Sequence, residues 1–222
     1  MSLKGKYSKK VSQKTLQGVF HLQLIDIIVF STAVKPILVL PPRNMDYITK
    51  TANFSSCLRY RYNLVRRWRD NSRHILFVGL NPSIADDNID DPTTRRCIKF
   101  AKLWGYGSME LVNLFSYCAT DPRDLIHQPD PIGPKNDSWI QKANSRSDIT
   151  IACWGSFIHA QNRATQITNK IKKLHCLRIN RNYSPAHPLY LPLNLRPLPY
   201  IKQQITSQDL NPLWNLCYNC CG

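Results

Sequence analysis

"HILFVGLNPS" (residues 74–83) decides how the chain folds. Ile75, Leu76, Phe77 and Val78 run without a polar interruption into Gly79, and Asn81, Pro82 and Ser83 close behind them. A short unbroken run of branched and aromatic residues suits a strand covered on both faces, and a Gly-x-Asn-Pro-Ser turn fixes the backbone at its carboxyl end.

Similar runs follow at "MELVNLF" (109–115), "DITIACWG" (148–155) and "LHCLRI" (174–179), and helical segments lie between them. In "DDPTTRRCIKFAKLWGYG", Asp91 suits the cap and Pro92 the first helical position; Cys97, Ile98, Ala101 and Trp104 share a face, and Gly105 suits the stop. "GPKNDSWIQKANSRS" repeats this logic with Pro134 and Trp139, and a third helix is expected from about Ser156 to Lys173. Strand and helix in alternation predict an α/β fold, a three-layer α/β/α sandwich with a central, mainly parallel sheet. In such sheets ligands bind beyond the carboxyl ends of the strands, where the turns "GLNPS", "VNLFSYCATDP" and "CWGS" fall.

Upstream, "CLRYRYNLVRRW" alternates Leu58, Tyr60, Tyr62 and Leu64 with Arg59, Arg61 and Asn63, which predicts a half-buried strand. The chain divides into an N-terminal extension over 1–55, basic and apolar, an α/β domain over 56–202, and a cysteine-containing tail over 203–222. His21, Asp26 and Lys35 interrupt the apolar stretch at 19–40, so no membrane span is expected there. With no secretory leader in view, the scattered cysteines read as reduced thiols of a cytoplasmic protein. Cys217, Cys220 and Cys221 lack a second pair for zinc, so neither metal nor cofactor is expected.

The net charge is +16, and residues 162–202 carry 8 Lys/Arg and no Asp/Glu. That imbalance points to a polyanionic partner, nucleic acid first.

Three segments together carry a resemblance. "VGLNPS" is similar to the first motif of the uracil-DNA glycosylase superfamily, "ELVNLF" to its strand ending in a base-reading asparagine, and "ACWGSFIHAQ" with "HCLRINRNYSPAHPLYLP" to its closing region. The set "LNPS…DDPT.RRC…WGYG…VNLF…ATDP…GP.ND…WG…HPLYLP" also resembles a bacterial domain family without an assigned function, over about 56–200.

The glycosylase resemblance implies a monomeric enzyme that everts a base from DNA, double-stranded by expectation, and hydrolyses its N-glycosidic bond. It implies that Asn81 holds the water and that His187 hydrogen-bonds the departing base. Gly79, Leu80, Pro82, Ser83 and Asn113 would surround that base, with Phe115 or Trp154 stacking on it. Arg178, Arg181, Tyr183 and Ser184 would grip phosphates, and Pro188, Leu189, Tyr190 and Leu191 would form an apolar wedge.

The sequence also departs from the pattern. Asn81 stands where the most efficient uracil-removing branch has aspartate, and the acidic loop "ADDNIDDPT" offers Asp86 and Asp87 as substitute carboxylates. A modified or damaged base is therefore expected rather than uracil, such as a hypermodified pyrimidine of phage DNA removed in defence. Two other functions compete. One is a module that binds a nucleotide without cleaving it, and the other is a metal-dependent nuclease using the aspartates of 86–91.

Overall fold

The computed structural model describes residues 47–200 apart from Asn71, Ile84 and Asp87. The expected extension up to residue 46, the apolar stretch at 19–40, the tail cysteines and Asp87 thus lie outside the described residues.

Seven strands form one mixed sheet: β1 (Thr49–Phe54), β2 (Arg61–Arg67), β3 (His74–Gly79), β4 (Ser108–Asn113), β5 (Ile149–Ala152), β6 (Leu174–Cys176) and β7 (Leu198–Pro199). Their spatial order is β1-β2-β4-β3-β5-β6-β7. The four runs expected as parallel strands are the parallel centre, β4-β3-β5-β6, and β1, β2 and β7 join antiparallel at its flanks. The sheet begins at Thr49, inside the segment that the sequence pattern assigns to the extension.

Alternate residues of β3 feed opposite cores, as a strand covered on both faces requires. Ile75 and Phe77 pack with Cys97, Ile98 and Ala101 of helix α1 (Pro92–Leu103), whereas Leu76 and Val78 pack with Ile140 of α2 (Asn136–Ser145) and Ile167 of α3 (Gln161–Lys170). Each fully buried side chain of this size contributes about 1.5–3 kcal/mol. Helices thus cover both faces, an arrangement consistent with three layers.

Helix α1 is capped as its sequence predicts. Asp91 accepts from the Thr94 amide at 2.6 Å, Pro92 opens the first turn, and Gly105 takes the left-handed φ of +82° after the stop.

Two expectations need correction. β2 is not half-buried: Arg61 is 1% exposed, Asn63 2% and Arg66 0%, because β1 and β4 flank the strand and the loop after β3 folds over its arginines. The third helix does not start near Ser156. Phe157 is extended at ψ 114°, a 3₁₀ turn spans Ile158–Ala160, and α3 runs only from Gln161 to Lys170.

β3 leads into α1 on one face, while β4 leads through α2 on the other face to β5, on the far side of β3. The connections diverge at the carboxyl end of β3, the position at which open α/β sheets bind their ligands.

Candidate functional site

Gly79 pairs with Asn113 and Val78 with Ala152, so the turns after β4, β3 and β5 leave the sheet side by side. At about 4.8 Å per strand, their starting points span roughly 10 Å. The first two turns are zipped together. The amides of Leu114, Phe115 and Ala119 donate to the carbonyls of Gly79, Leu80 and Pro82 at 2.9, 3.0 and 3.0 Å.

Asn81 sits in this zipper. Its Nδ2 donates to the carbonyls of Pro82 (3.0 Å) and Ala119 (2.7 Å), which fixes the amide and leaves Oδ1 as its acceptor for a ligand or water.

Asn113, at the end of β4, is 2% exposed, and among the described residues its Nδ2 has no partner. Its Oδ1 lies over Gly79 so closely that a Cβ there would stand 2.6 Å away, which is why glycine occupies the strand end. The turn beneath is anchored from both helices of that face. Asn136 Nδ2 donates to the carbonyls of Asn113 (3.0 Å) and Leu114 (2.9 Å), and Arg163 Nε also donates to Leu114 (2.9 Å). A buried donor left unpaired costs about 1–3 kcal/mol, so a side-chain amide with a bare N–H on a backbone held this firmly is a ready contact for a ligand acceptor.

The loop from β3 to α1 is held by two buried arginines of β2. Arg66 pairs with Asp90 at 2.7 Å and bonds the carbonyl of Asp86, and Arg61 reaches the carbonyl of Ala85. To get there Arg61 crosses from β2 past the end of β4, the strand carrying Asn113. It has no carboxylate within ion-pair distance among the described residues, and its Nε has no partner. Burial pushes the guanidinium pKa down, against the opposing pull of Asp91.

The acidic residues divide by role. Asp86 is spent on its own loop, accepting from the amides of Asn88 (2.7 Å) and Ile89 (2.8 Å), and these bonds hold its carboxyl below the usual range. Asp90 serves Arg66 and the Tyr47 hydroxyl. Asp91, the expected helix cap, is 7% exposed, takes the Ser83 hydroxyl at 3.3 Å, and places its charge near His187. The carboxylate at the rim is thus Asp91, while Asp86 is occupied and Asp87 lies outside the described residues.

His187 comes to the same rim from the chain's closing region. Gly155, at φ +79°, donates its amide to the Pro185 carbonyl at 3.0 Å, and a Cβ on it would lie 3.6 Å from His187 Cβ. The imidazole Nδ1 accepts from the Leu189 amide at 3.4 Å, which assigns the proton of the neutral ring to Nε2. Burial lowers its pKa from 6.5, and the charge of Asp91 opposes that shift.

The outer residues separate into core and surface. Phe115 (7% exposed) and Trp154 (3%) belong to the core, Trp154 edge-on to Tyr200 at 5.8 Å, so neither offers a bare stacking face. Pro188 and Leu191 are buried, with the Leu191 carbonyl bonded by Arg96, and Tyr190 stands 87% exposed as the tip of the expected wedge. Arg178, Arg181 and Tyr183 are exposed, while Ser184 is tied to Asn180 and Asn182 within its turn. Sequence reading missed the roles of Arg61, Arg66, Asn136 and Arg163; only Asn136 falls in a quoted motif, "GP.ND", and that motif gives no sign of what it anchors.

The fold and rim together define an α/β protein with polar side chains gathered at a topological switch point. Residues 61–189, more than half of the chain, match the model of a family described as a protein of unknown function (DUF1643), and the chain belongs to that family. No curated protein and no solved structure matches it.

Proposed function

We propose that the chain is a DNA glycosylase of uracil-DNA glycosylase-like fold, hydrolysing the bond between deoxyribose and a modified or damaged base. The observation that carries this reading is the buried Asn113 amide with its bare Nδ2, beside the fixed Asn81 acceptor and the neutral His187 donor.

An everted base entering this rim presents a carbonyl edge to two donors, Asn113 Nδ2 and His187 Nε2. As the C1′–N bond breaks, its electron pair stays with the base, and donors fixed in advance stabilise the charge that develops there. Arg61 adds positive charge behind them, with its Nε unpaired. Asn81 Oδ1 orients a water whose oxygen bonds to C1′, and the proton that water releases goes to the base or to solvent. The carboxylate of Asp91 favours the cationic sugar. An asparagine cannot take a proton, so the reaction depends on the leaving base being stabilised, which favours modified bases over uracil. A hypermodified pyrimidine of phage DNA fits that requirement, with defence against phage as the biological setting.

Incubation with DNAs bearing different modified bases, then alkali, tests the proposal. Strand breaks at one modification, reduced at least tenfold by Asn81→Ala and by His187→Ala, are expected; no breaks on any DNA would refute it. Because Asn81 cannot act as a base, recognition without cleavage is the second reading. Tight, salt-dependent binding with no free base by mass spectrometry would select it. Among the described residues of the 86–91 loop, Asp86 serves loop amides and Asp90 serves Arg66, so nothing described there favours the nuclease reading.

A further inference from the structure

Beside the rim, between α3 and the turn at 180–184, a groove of about 610 Å³ opens, with Gly155 on its wall. Its lining runs from Trp154 to Tyr200, a stretch with seven Lys/Arg and no Asp or Glu, so among the described residues no carboxylate lines it. One wall is a polar stripe of α3, in which Gln161, Thr165 and Thr168 recur at helical spacing and Lys172 follows just beyond the helix. The other wall carries Tyr183, 43% exposed and held at φ +59°.

That backbone conformation is unfavourable for a bulky side chain. Here the surrounding turn enforces it: Tyr183 donates its amide to the Asn180 carbonyl at 3.0 Å, and its own carbonyl accepts from the Tyr200 hydroxyl at 2.9 Å. The aromatic ring is thus kept at the groove's edge by a turn that asparagine or glycine would fit more easily. Phe157 lies half-buried in the same lining.

We infer that this groove binds an unpaired stretch of a nucleic-acid strand. Sites for single strands combine a groove of positive charge that follows the backbone with aromatic faces for the bases. Lys172 supplies charge in the groove and the exposed Arg178 and Arg181 supply it nearby, Tyr183 and Phe157 supply the rings, and the amides and hydroxyls of α3 meet sugar and base edges. About 610 Å³ is room for one or two nucleotides, far less than a duplex occupies. The inference stands whether or not the rim cleaves a glycosidic bond, since it concerns only what lies alongside it.

The test is fluorescence anisotropy with labelled twelve-residue oligothymidine and with the same strand annealed to its complement, using the full chain. The single strand is expected to bind at least tenfold more tightly. Tyr183→Asn keeps a residue suited to the left-handed turn and removes the ring; it should weaken single-strand binding by roughly five- to a hundredfold, the worth of one stacked base. Lys172→Glu, on an exposed position, should weaken it and lower the salt slope by about one or more. Equal affinity for duplex and single strand, or both variants binding oligothymidine as the parent does, would overturn the inference.

Discussion

Gly79→Ala adds one methyl group at the centre of the candidate site. The Cβ would stand 2.6 Å from Asn113 Oδ1, with Leu111 Cδ1 at 3.6 Å and Asn113 Cγ at 3.8 Å. Ordinary contact begins near 3.4 Å, so only the amide oxygen must move, by about 0.8 Å. The backbone at 79 is an extended strand end, and alanine suits it. Overpacking of this kind costs about 1–3 kcal/mol, and the reduced freedom of the unfolded chain offsets about 0.4–1 kcal/mol of it. The net loss is on the order of 1 kcal/mol, or roughly 2–4 °C in Tm. Asn113→Ala removes the obstructing oxygen, so in that background Gly79→Ala should be neutral or slightly stabilising. Urea denaturation of the parent, both single variants and the double variant closes the cycle without any knowledge of substrate. In base release, Gly79→Ala should approach the loss seen for Asn113→Ala, about 10²–10³-fold for a displaced donor, and the double variant should be no worse. Additive stability losses in the cycle would refute the claim that glycine is there to admit the Asn113 amide.

Three further outcomes are expected. His187 has a folded pKa below 6.5, so between the two values the unfolded chain binds more protons; stability is complete above about 6.5 and falls as pH drops, and His187→Gln should flatten that fall in urea midpoints measured from pH 5 to 8, an unchanged slope counting against it. Arg66→Met removes the ion-pair partner of Asp90 and the side-chain donor to the Asp86 carbonyl and should cost about 3–5 kcal/mol in the same assay, with partial recovery on adding Asp90→Asn. Cys57 is exposed, and bonding to Ser55, helped by Arg59, lowers its thiol to about 7, so iodoacetamide at pH 7.5 should label it ahead of the buried Cys97, Cys153 and Cys176; equal labelling would contradict this.

The strands and α1 were legible because their signals are local. β3 to β6 fall on the four mainly apolar runs of the sequence, and Asp91, Pro92 and Gly105 mark the ends of one helix. Arg61 and Arg66 were not legible, since an alternating strand assigns its charges to water. Their burial depends on a loop about twenty residues further on, whose carbonyls and Asp90 satisfy them. The same distance hid Asn136 and Arg163, whose purpose appears only once both helices lie against the β4 turn. Ser156 resembled a helix start, but the extended Phe157 delays α3 by five residues. Phe115 and Trp154 stood at strand ends where an aromatic serves equally as core or platform, and packing chose the core.

Asp91 both begins α1 and faces the rim, and its two oxygens divide that labour: one accepts from the Thr94 amide, the other from the Ser83 hydroxyl. Charge and cap can therefore be uncoupled by chemistry alone, since asparagine keeps an acceptor for the helix while discharging the rim. An Asp91→Asn chain should keep its architecture and lose that charge, which makes it, under the proposed reaction, the natural form for trapping an uncleaved ligand.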